Sequence, residues 1–321
     1  CKWFQFDYFH AWLVSNVLDS TYYYLENTAG SDVALKNYRP YNKFMAANMF
    51  TFTPIKHVSL SFGNSVIYAE KTIQAAYLIP IAFYKSLDHL MTKGVRTQNQ
   101  NSQVFASLSV RPIDHLQLYG SFFLDEVKFA RFKKSNPQNN PISYLVGFNW
   151  SGWPIKGLSI KGEFMRSYIA CYTHSIDVLD WSSNSYNMGH YMGDNAQSIY
   201  AELAYRPFRG ALIKLSYTND KKYNSYAYLR DNIGPTISEK PFDHCIYSND
   251  ELRLDGIYEV HPNMFMTVSL GYNNAQGFDN IKANALPSED LGDAQYYLDK
   301  FSPLFYQGKN FTASVGFSFG F

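Results

Sequence analysis

One stretch of the chain, residues 172–195, interleaves aromatic side chains with carboxylates and amides. An aromatic ring with a polar tip can lie against the face of a sugar, while Asp and Asn oxygens accept hydrogen bonds from its hydroxyls. This pattern predicts a glycan-binding surface. Its candidate residues are Tyr172, Asp177, Trp181, Tyr186, Tyr191 and Asp194. Alternatively, these aromatic residues pack the loop itself or belong to the aromatic belt of a membrane protein.

Residue patterns for catalysis are absent from the sequence. There is no G-x-S-x-G, H-E-x-x-H or P-loop motif. Asp125 and Glu126 are neighbours in a strand-like segment, so they point to opposite faces and cannot act as a paired acid and base. Cys171 and His174 have no second ligand pair at a metal-binding spacing. We therefore predict no catalytic residue, no metal ligand and no cofactor, and expect a protein that is not an enzyme.

The composition narrows the class of protein that must position these residues. The 321 residues carry 28 Lys and Arg against 27 Asp and Glu, so net charge does not favour nucleic acid as a partner. Aromatic residues make up 18%, the mean hydropathy is −0.28, and no uninterrupted apolar run reaches the ~18 residues of a membrane-spanning helix. A membrane β-barrel has this composition because half of each strand faces a polar lumen. A large secreted β protein would also fit.

Five prolines mark tight turns in the chain. Each follows a strand-like segment and precedes a few turn residues and another alternating segment. They are Pro54, Pro112, Pro154, Pro207 and Pro262. Proline fixes φ and lacks a backbone donor, so it closes a strand and opens a turn. Longer polar loops separate these turns, and short turns at one end with long loops at the other indicate an outer-membrane barrel.

The alternating segments predict about twelve strands in a single domain, residues 1–321. The fold class is an all-β, antiparallel, up-and-down β-barrel of the outer membrane. The predicted strands are 3–14, 43–53, 57–69, 101–111, 115–128, 141–151, 156–168, 196–206, 211–223, 248–260, 263–273 and 310–321. A strand of ~11 residues reaches ~27 Å in height after a ~40° tilt, which matches the ~25 Å apolar band of such barrels.

Alternation also assigns the two faces of each strand. In the segment 157–165, Leu158, Ile160 and Phe164 alternate with polar residues, so we expect the apolar side chains to face lipid. A charge at the midplane of the lipid face costs ~2–4 kcal/mol, so the charges are predicted to line the lumen. The candidate lumen-lining residues are Lys161, Glu163, Glu202, Arg206, Arg253, Asp255 and Glu259. Their mixed signs favour internal salt bridges over a selective ion ring.

The last twelve residues, NFTASVGFSFGF (310–321), alternate without interruption. Phe317, Phe319 and Phe321 fall on one face, and small or polar residues fall on the other. We expect the Phe face to contact lipid. The terminal Phe resembles the C-terminal strand signal that barrel-insertion machinery reads.

Two further features leave alternatives open. Residues 80–91 begin with Pro80 at a position suited to the first turn of a helix, and Phe83, Leu87 and Leu90 follow at helical spacing. We predict a short helix that either plugs the lumen or packs on a cluster of loops. Cys171 and Cys245 could form a disulfide between two loops, which the sequence does not decide.

Four phrases of the sequence resemble the capsule-assembly Wzi family as it occurs in Bacteroidota-type bacteria. They are SFGNSVIYAE, AAYLIPIAFYKSLDH, LQLYGSFFLDEVKF and YNMGHYMGDNAQSIYAELAYRPFRG, and the resemblance runs roughly from Trp12 to Tyr217. The resemblance implies an outer-membrane barrel of a Gram-negative bacterium that binds or anchors surface polysaccharide during capsule assembly, like a lectin and without a reaction. Wzi-like barrels have about eighteen strands and a helical periplasmic portion, so we expect this chain to be the C-terminal portion of a longer protein.

Three hypotheses about function follow. The first is a polysaccharide-binding barrel of capsule assembly. The second is a porin-like channel, and the third is a structural subunit of a larger outer-membrane secretion or assembly complex. The expected partners are membrane lipid and lipopolysaccharide, surface polysaccharide, the barrel-insertion machinery and other subunits of such a complex.

Overall fold

A computed structural model describes residues 3–19, 24–25, 34–35, 39–91, 99–125, 140–225, 240–279 and 294–320. Twelve long strands form one antiparallel sheet in which each strand pairs with its neighbours along the chain. They are β1 Phe4–Leu13, β2 Lys43–Phe52, β3 Val58–Tyr68, β4 Gln100–Ile113, β5 Leu116–Leu124, β6 Ile142–Ser151, β7 Leu158–Ser167, β8 Ala196–Tyr205, β9 Ala211–Tyr223, β10 Cys245–His261, β11 Met264–Gly277 and β12 Gly308–Phe319. The predicted fold class, an all-β up-and-down barrel of the outer-membrane type, is confirmed. Within the described residues, β1 and β12 are the outermost strands of the sheet.

The tight turns all lie at one end of the sheet, as the prolines predicted. They follow β2, β4, β6, β8 and β10. Pro112 lies within the last residues of β4, where the pairing with β5 shifts between Val110 and Ile113. His57, His115 and Asn263 adopt positive φ in three of these turns, which reverses the chain within a few residues. The long connections, including residues 168–195, lie at the opposite end.

The pairing register shows that each face has its own chemistry. Ile160 pairs with Leu203, and Lys161, one residue along, pairs with Glu202. Neighbouring strands therefore place apolar residues in one row and charged residues in the next. We call the apolar face the outer wall and the polar face the concave face. Phe62 on β3 and Phe317 on β12 are among the exposed aromatic residues of the outer wall, which is the surface that a barrel offers to lipid.

The loop of residues 168–195 shows that the sheet is curved. The Tyr172 hydroxyl donates to Ser143 Oγ on β6 at 2.8 Å. In the same loop, the Asn184 backbone N–H donates to the carbonyl oxygen of Val14, just after β1, at 3.0 Å. β1 and β6 are five strand spacings apart, which is about 24 Å across a flat sheet. One loop bridges them because the sheet wraps around it.

Two short helices flank the sheet on different sides. Helix α2, Ala294–Phe301, buries Tyr297 against the concave face in a cluster with Met165 and Tyr247. Helix α1, Tyr84–Met91, buries Tyr84 in a cluster with Ala46 and Val66. No helix among the described residues has the length and apolar character needed to span a membrane.

The position of α1 corrects the prediction of a luminal plug. Ala46 and Val66 share a face with Phe50 and Phe62 of the outer wall, because no register shift interrupts the pairing of β2 with β3. The helix therefore packs on the outside of the sheet. The concave side is filled instead by the 168–195 loop and by α2.

Candidate functional site

A cleft of about 630 Å³ opens on the concave face. Its floor is formed by β9, β10 and β11, one side by the loop at Tyr191, and the other side by the end of α2 and the residues that follow it. We call it the concave cleft. Its chemically distinctive residues are Tyr191, Asp220, Asn249, Arg253, Lys300 and Tyr306.

The floor of the concave cleft comes from inward positions of three adjacent strands. Asp220 on β9 pairs with Asn249 on β10. Two residues further along β10, Glu251 pairs with Asn273 on β11. Antiparallel partners and their diagonal neighbours on one face lie within reach of a single small ligand. The strands therefore present a patch of carboxylate and amide groups at the loop end of the sheet.

The loop side of the cleft is held by a buried ion pair. Lys222 Nζ lies 3.1 Å from Asp194 Oδ1, and it also donates to the Asp194 carbonyl oxygen. Both side chains are almost fully buried; Asp194 is 4% exposed. This pair anchors the loop to β9 three residues after Tyr191. The Tyr191 hydroxyl donates to Asp220 Oδ2 at 2.6 Å, while its ring stays largely exposed.

The opposite side of the cleft is held by hydrogen bonds to the sheet. The hydroxyls of Tyr247 and Ser302 lie 2.7 Å apart. Asn273 Nδ2 donates to the carbonyl oxygen of Tyr306 at 2.6 Å. Both contacts join the segment after α2 to inward residues of β10 and β11, so Lys300 and Tyr306 have defined positions beside the floor.

Two acceptors in the cleft lack a donor from the described part of the chain. Asp220 Oδ1 and Asn249 Oδ1 are buried, and no described residue forms a hydrogen bond with either oxygen. An unpaired buried acceptor costs about 1–3 kcal/mol, and a ligand that donates to it removes that cost. Sugar hydroxyls are donors of the right kind, and the exposed ring of Tyr191 offers a face for a pyranose.

Charges on the concave face are paired below the cleft. Arg253 Nε lies 2.9 Å from Asp255 Oδ1, and Lys214 Nζ lies 3.6 Å from Asp255 Oδ2. Lys161 Nζ lies 3.0 Å from Glu163 Oε1, and the Tyr119 hydroxyl donates to the same oxygen at 2.5 Å. These contacts place opposite charges side by side.

Two adjacent loop residues, His190 and Tyr191, are neutral over the physiological range. Burial of the hydroxyl end of Tyr191, together with the negative charge of Asp220, raises the pKa of this phenol, which stays a hydrogen-bond donor. Burial lowers the pKa of His190 to about 4. In addition, His190 Nδ1 accepts a hydrogen bond from the Met192 backbone N–H at 3.3 Å, which requires the neutral ring.

Three of the six predicted glycan-binding residues are structural instead. Tyr172 and Trp181 are buried, and both rings pack on Phe123, at centroid distances of 5.3 and 5.0 Å. Asp194 forms the ion pair described above. Their side chains are not open to a glycan, which corrects the prediction for these positions and matches the alternative that the loop aromatics pack the loop.

The other three candidates lie in different places. Asp177 begins a single 3₁₀ turn and is exposed. Tyr186 is 75% exposed and lies in a two-strand ladder formed by Ser182–Ser183 and Tyr186–Asn187. Tyr191 alone of the six lines the concave cleft.

The predicted lumen-lining charges lie at different heights along the strands: some are on the concave face and others are at the turn end. Lys161, Glu163 and Glu202 share the concave row, and the Tyr200 hydroxyl donates to Glu202 Oε2 at 2.5 Å. Glu259 lies at the turn end, where its Oε1 accepts from the Asn263 backbone N–H at 3.3 Å. Arg206 lies beyond the end of β8 in an exposed turn, so it does not line the lumen.

The remaining predictions concern the termini, cysteines and metals. Phe317 and Phe319 lie on the outer wall and are exposed, whereas Phe321 is outside the described residues. Cys171 and Cys245 are free thiols, so no disulfide joins them. Among the described residues, no group of three or more His, Cys, Asp or Glu could hold a metal ion.

Most residues of the concave cleft were not predicted from the sequence. Asp220, Asn249 and Asn273 occur in the polar ends of β9, β10 and β11, within the segments TND, SNDE and YNN. Clusters of inward polar residues at neighbouring strand ends were the available signal. The contribution of Lys300 and Tyr306 had no local signal, because only the packing of α2 brings them to the floor.

No protein-family model matches the sequence, and no curated protein matches it either. Several solved structures are similar, among them three outer-membrane β-barrels. Wzi of Escherichia coli, a carbohydrate-binding β-barrel involved in group 1 capsule assembly, is 14% identical with a TM-score of 0.48; the match covers 73% of this chain and 48% of Wzi. The NanC porin is 12% identical with a TM-score of 0.32, covering 87% of this chain and 94% of NanC. Salmonella typhi OmpF is 6% identical with a TM-score of 0.34, covering 98% and 96%. The chain spans about half the length of the Wzi chain.

Proposed function

We propose that this protein binds surface polysaccharide in the concave cleft and holds it at the outer membrane of a Gram-negative bacterium. The observation that carries the proposal is the pair of buried acceptors, Asp220 Oδ1 and Asn249 Oδ1, that no described residue satisfies, beside the exposed ring of Tyr191. A cleft of about 630 Å³ accommodates a short segment of glycan. The role is that of a lectin-like anchor in capsule assembly, in line with the sequence resemblance to the Wzi family.

The proposal includes no reaction. The Tyr191 hydroxyl occupies one oxygen of Asp220 at 2.6 Å, and Arg253 is paired with Asp255. These contacts orient polar groups for binding. Lipid and lipopolysaccharide would contact the outer wall, and the barrel-insertion machinery would read β12 through Phe317 and Phe319.

Two alternative functions remain as proposals of lower rank. Against a porin-like channel stands the packing of the 168–195 loop and α2 on the concave face. A structural subunit of a larger outer-membrane secretion or assembly complex would need no glycan contact, and it leaves the two unpaired acceptors without a purpose.

The test is calorimetric titration of the purified barrel with surface polysaccharide fragments from its own cell. We expect saturable binding that weakens at least tenfold in a Tyr191→Ala variant, since stacking and the orientation of Asp220 are both lost. The matched control is Tyr186→Ala, because Tyr186 belongs to the same loop, is exposed and lies outside the cleft.

Two results would contradict the proposal. A folded wild-type barrel that binds no fragment would favour the structural subunit. Equal losses in the Tyr191 and Tyr186 variants would place binding on the outer part of the loop instead of in the cleft.

A further inference from the structure

The outer wall carries a covering segment that the proposed function does not use. We call residues 73–91 the outer segment; it contains the 3₁₀ turn Ala75–Leu78 and helix α1. Its own Tyr77 and Tyr84 side chains are fully buried against the wall, and the ring of Tyr77 lies 4.7 Å from the ring of Tyr68 on β3. The Tyr8 hydroxyl on β1 donates to the Tyr77 carbonyl oxygen at 3.2 Å. The outer segment is therefore packed onto the outer face of β1, β2 and β3.

Beneath the outer segment, the wall is polar. Asn48 on β2 and Asn64 on β3 are register partners, and Asn64 Nδ2 donates to Asn48 Oδ1 at 2.7 Å. Asn48 Nδ2 donates to the carbonyl oxygens of Pro80 and Ala82, both at 2.8 Å. Asn64 Oδ1 accepts from the Tyr84 backbone N–H at 2.7 Å. The outer segment thus satisfies an amide pair that would otherwise point outward.

The amide pair lies at the height of the membrane. Asn64 is six residues above Val58, the first residue of β3, which places it about 15 Å above the turn end of a tilted strand. The apolar band of an outer-membrane barrel is about 25 Å high. The same outward row continues as Val104 on β4 and Leu124 on β5, which are apolar. Bare amides in this row would face hydrocarbon.

The other side of the outer segment is apolar and exposed. Ile79, Ile81 and Phe83 point away from the sheet, and Ile81 is 73% exposed. No charged residue occurs between Lys71 and Lys85. On the wall directly below, Leu60 and Phe62 are exposed on the same face. The apolar surface of the wall therefore continues onto the outer segment without a polar break.

We infer that the outer segment lies in the outer leaflet of the membrane, where Ile79, Ile81 and Phe83 contact lipid acyl chains. It covers the outer face of β2 and β3, so that the segment contacts lipid there in place of the strands, and it shields the Asn48–Asn64 pair from hydrocarbon. The occupant of the face formed by Ile79, Ile81 and Phe83 is lipid, because this face is continuous with the lipid-facing wall and residues 72–84 carry no charge; the first charged residue of α1 is Lys85. The inference is independent of glycan binding in the concave cleft.

The test uses a fluorescent probe on the full chain in lipid vesicles. In a background in which Cys1, Cys171 and Cys245 are replaced by alanine, bimane is attached to Ile81→Cys. The vesicles contain phosphatidylcholine and phosphatidylglycerol, with a fraction of lipids that carry a nitroxide at carbon 5 of one acyl chain. We expect the lipid nitroxide to quench the Ile81 probe at least twofold and aqueous iodide to leave it almost unchanged.

Two control probes show the quenching expected for a position in lipid and for a position in water. Phe62→Cys on the wall should behave like Ile81→Cys, whereas Tyr186→Cys on the concave-side loop should be quenched by iodide alone. Leu78→Cys is a second position on the outer segment in case the Ile81 variant does not fold, and heat-modifiable gel mobility reports folding. Quenching of both segment probes by iodide alone would overturn the inference. Protection from both quenchers with crosslinking to a second protein chain would overturn it as well, since a protein partner would then cover the face.

Discussion

Most polar side chains of the concave face form hydrogen bonds or ion pairs with one another. Glu163 accepts from Tyr119 and lies beside Lys161, and Asp255 accepts from Ser269 at 2.7 Å and pairs with Arg253. Asp220 and Asn249 break this pattern, since one buried oxygen of each receives no donor from the residues that the structure describes. Buried polar groups are normally paired, so these two oxygens are where the proposed glycan would supply donors.

A substitution at Gly63 on β3 measures how closely the strands and their side chains pack. A Cβ at this position would overlap the carbonyl oxygen of Asn48 on the neighbouring strand and the ring of Phe105. We expect Gly63→Ala to lower the free energy of unfolding by about 1–3 kcal/mol, because the backbone of β2 has to move. Urea unfolding in detergent micelles measures this change.

Gly256→Ala is the control for that substitution. Gly256 also lies within a strand, but the atom nearest to its added Cβ is the Val268 carbonyl oxygen at 3.9 Å. Alanine there should leave the free energy of unfolding unchanged or raise it slightly, because glycine is the more flexible residue in the unfolded chain. Equal losses at Gly63 and Gly256 would contradict the packing argument.

We predict that the stability of the protein depends on pH through His190 in the 168–195 loop. Its pKa in the folded protein is about 4, below the ordinary 6.5, because burial disfavours the charged ring. Between pH 4 and pH 6.5, His190 binds a proton more readily in the unfolded chain than in the folded protein. The stability that comes from the neutral His190 is therefore complete above pH 6.5 and is lost as the pH falls toward 4. Between pH 7 and pH 5 the loss amounts to at most about 2 kcal/mol.

The measurement compares the wild type with His190→Gln, which cannot titrate in this range. Melting temperatures are recorded at pH 7 and pH 5. We expect the wild type to lose stability relative to the variant at the lower pH. A difference between the two proteins that stays constant with pH would show that His190 is not held neutral.

At the scale of the elements, the loop of residues 168–195 is a second layer inside the sheet. Its first half packs Trp181 and Leu179 against β2 and β3. Its second half is anchored to β9 through Asp194 and Lys222. Because both halves are attached, the loop holds Tyr191 at the edge of the cleft at a fixed height.

The anchor gives a prediction about that loop. Lys222→Met leaves Asp194 buried without its charged partner, and removing one member of a buried pair costs about 3–5 kcal/mol. We expect a large fall in melting temperature together with weaker glycan binding, since Tyr191 loses its position. Thermal unfolding and titration measure the two effects.

Lys161→Met is the matched control for the anchor. Lys161 also pairs with a carboxylate on the concave face, but 36% of its side chain is exposed. Exposed pairs contribute about 0–1 kcal/mol, so this variant should melt close to the wild type. If Lys161→Met were as damaging as Lys222→Met, the loop anchor would have no special role.

At the scale of the whole molecule, both faces of one sheet carry packed segments. The concave face holds the 168–195 loop and α2, and the outer wall holds α1 with the turn before it. The first arrangement narrows the interior, and the second thickens the wall. Only the first arrangement bears on the interior, and it argues against an open passage.

Electrical recording tests this arrangement. In planar lipid bilayers we expect the unmodified chain to show little steady conductance, because the loop and α2 occupy the interior. Replacing residues 173–192 by a short Gly-Ser linker should raise the conductance, while Tyr186→Ala should not. A large, stable conductance from the unmodified chain would favour the porin-like channel.

The sequence by itself determined the architecture of this protein. Period-two alternation, the five turn prolines and the polar loops are local properties, and they predict twelve antiparallel strands with an apolar and a polar face. The face of each residue follows from the alternation, since neighbouring side chains on a strand point to opposite sides, and the antiparallel direction follows from the short turns. For that reason Lys161 and Glu163 on β7 could be assigned to the concave face without knowledge of their partners.

Only the tertiary structure decided which loop residues are open to a ligand and on which side the segments lie. Trp181 and Tyr191 are both aromatic residues among polar neighbours in the same loop. Trp181 is nevertheless buried against Phe123, whereas Tyr191 lines the cleft. The helix at 84–91 has the same local pattern whether it packs inside or outside the barrel. Its position depends on Asn48 and Asn64, which are distant in the chain and become hydrogen-bond partners of the outer segment only when β2 and β3 pair. Long-range pairing of this kind leaves no periodic trace in a sequence.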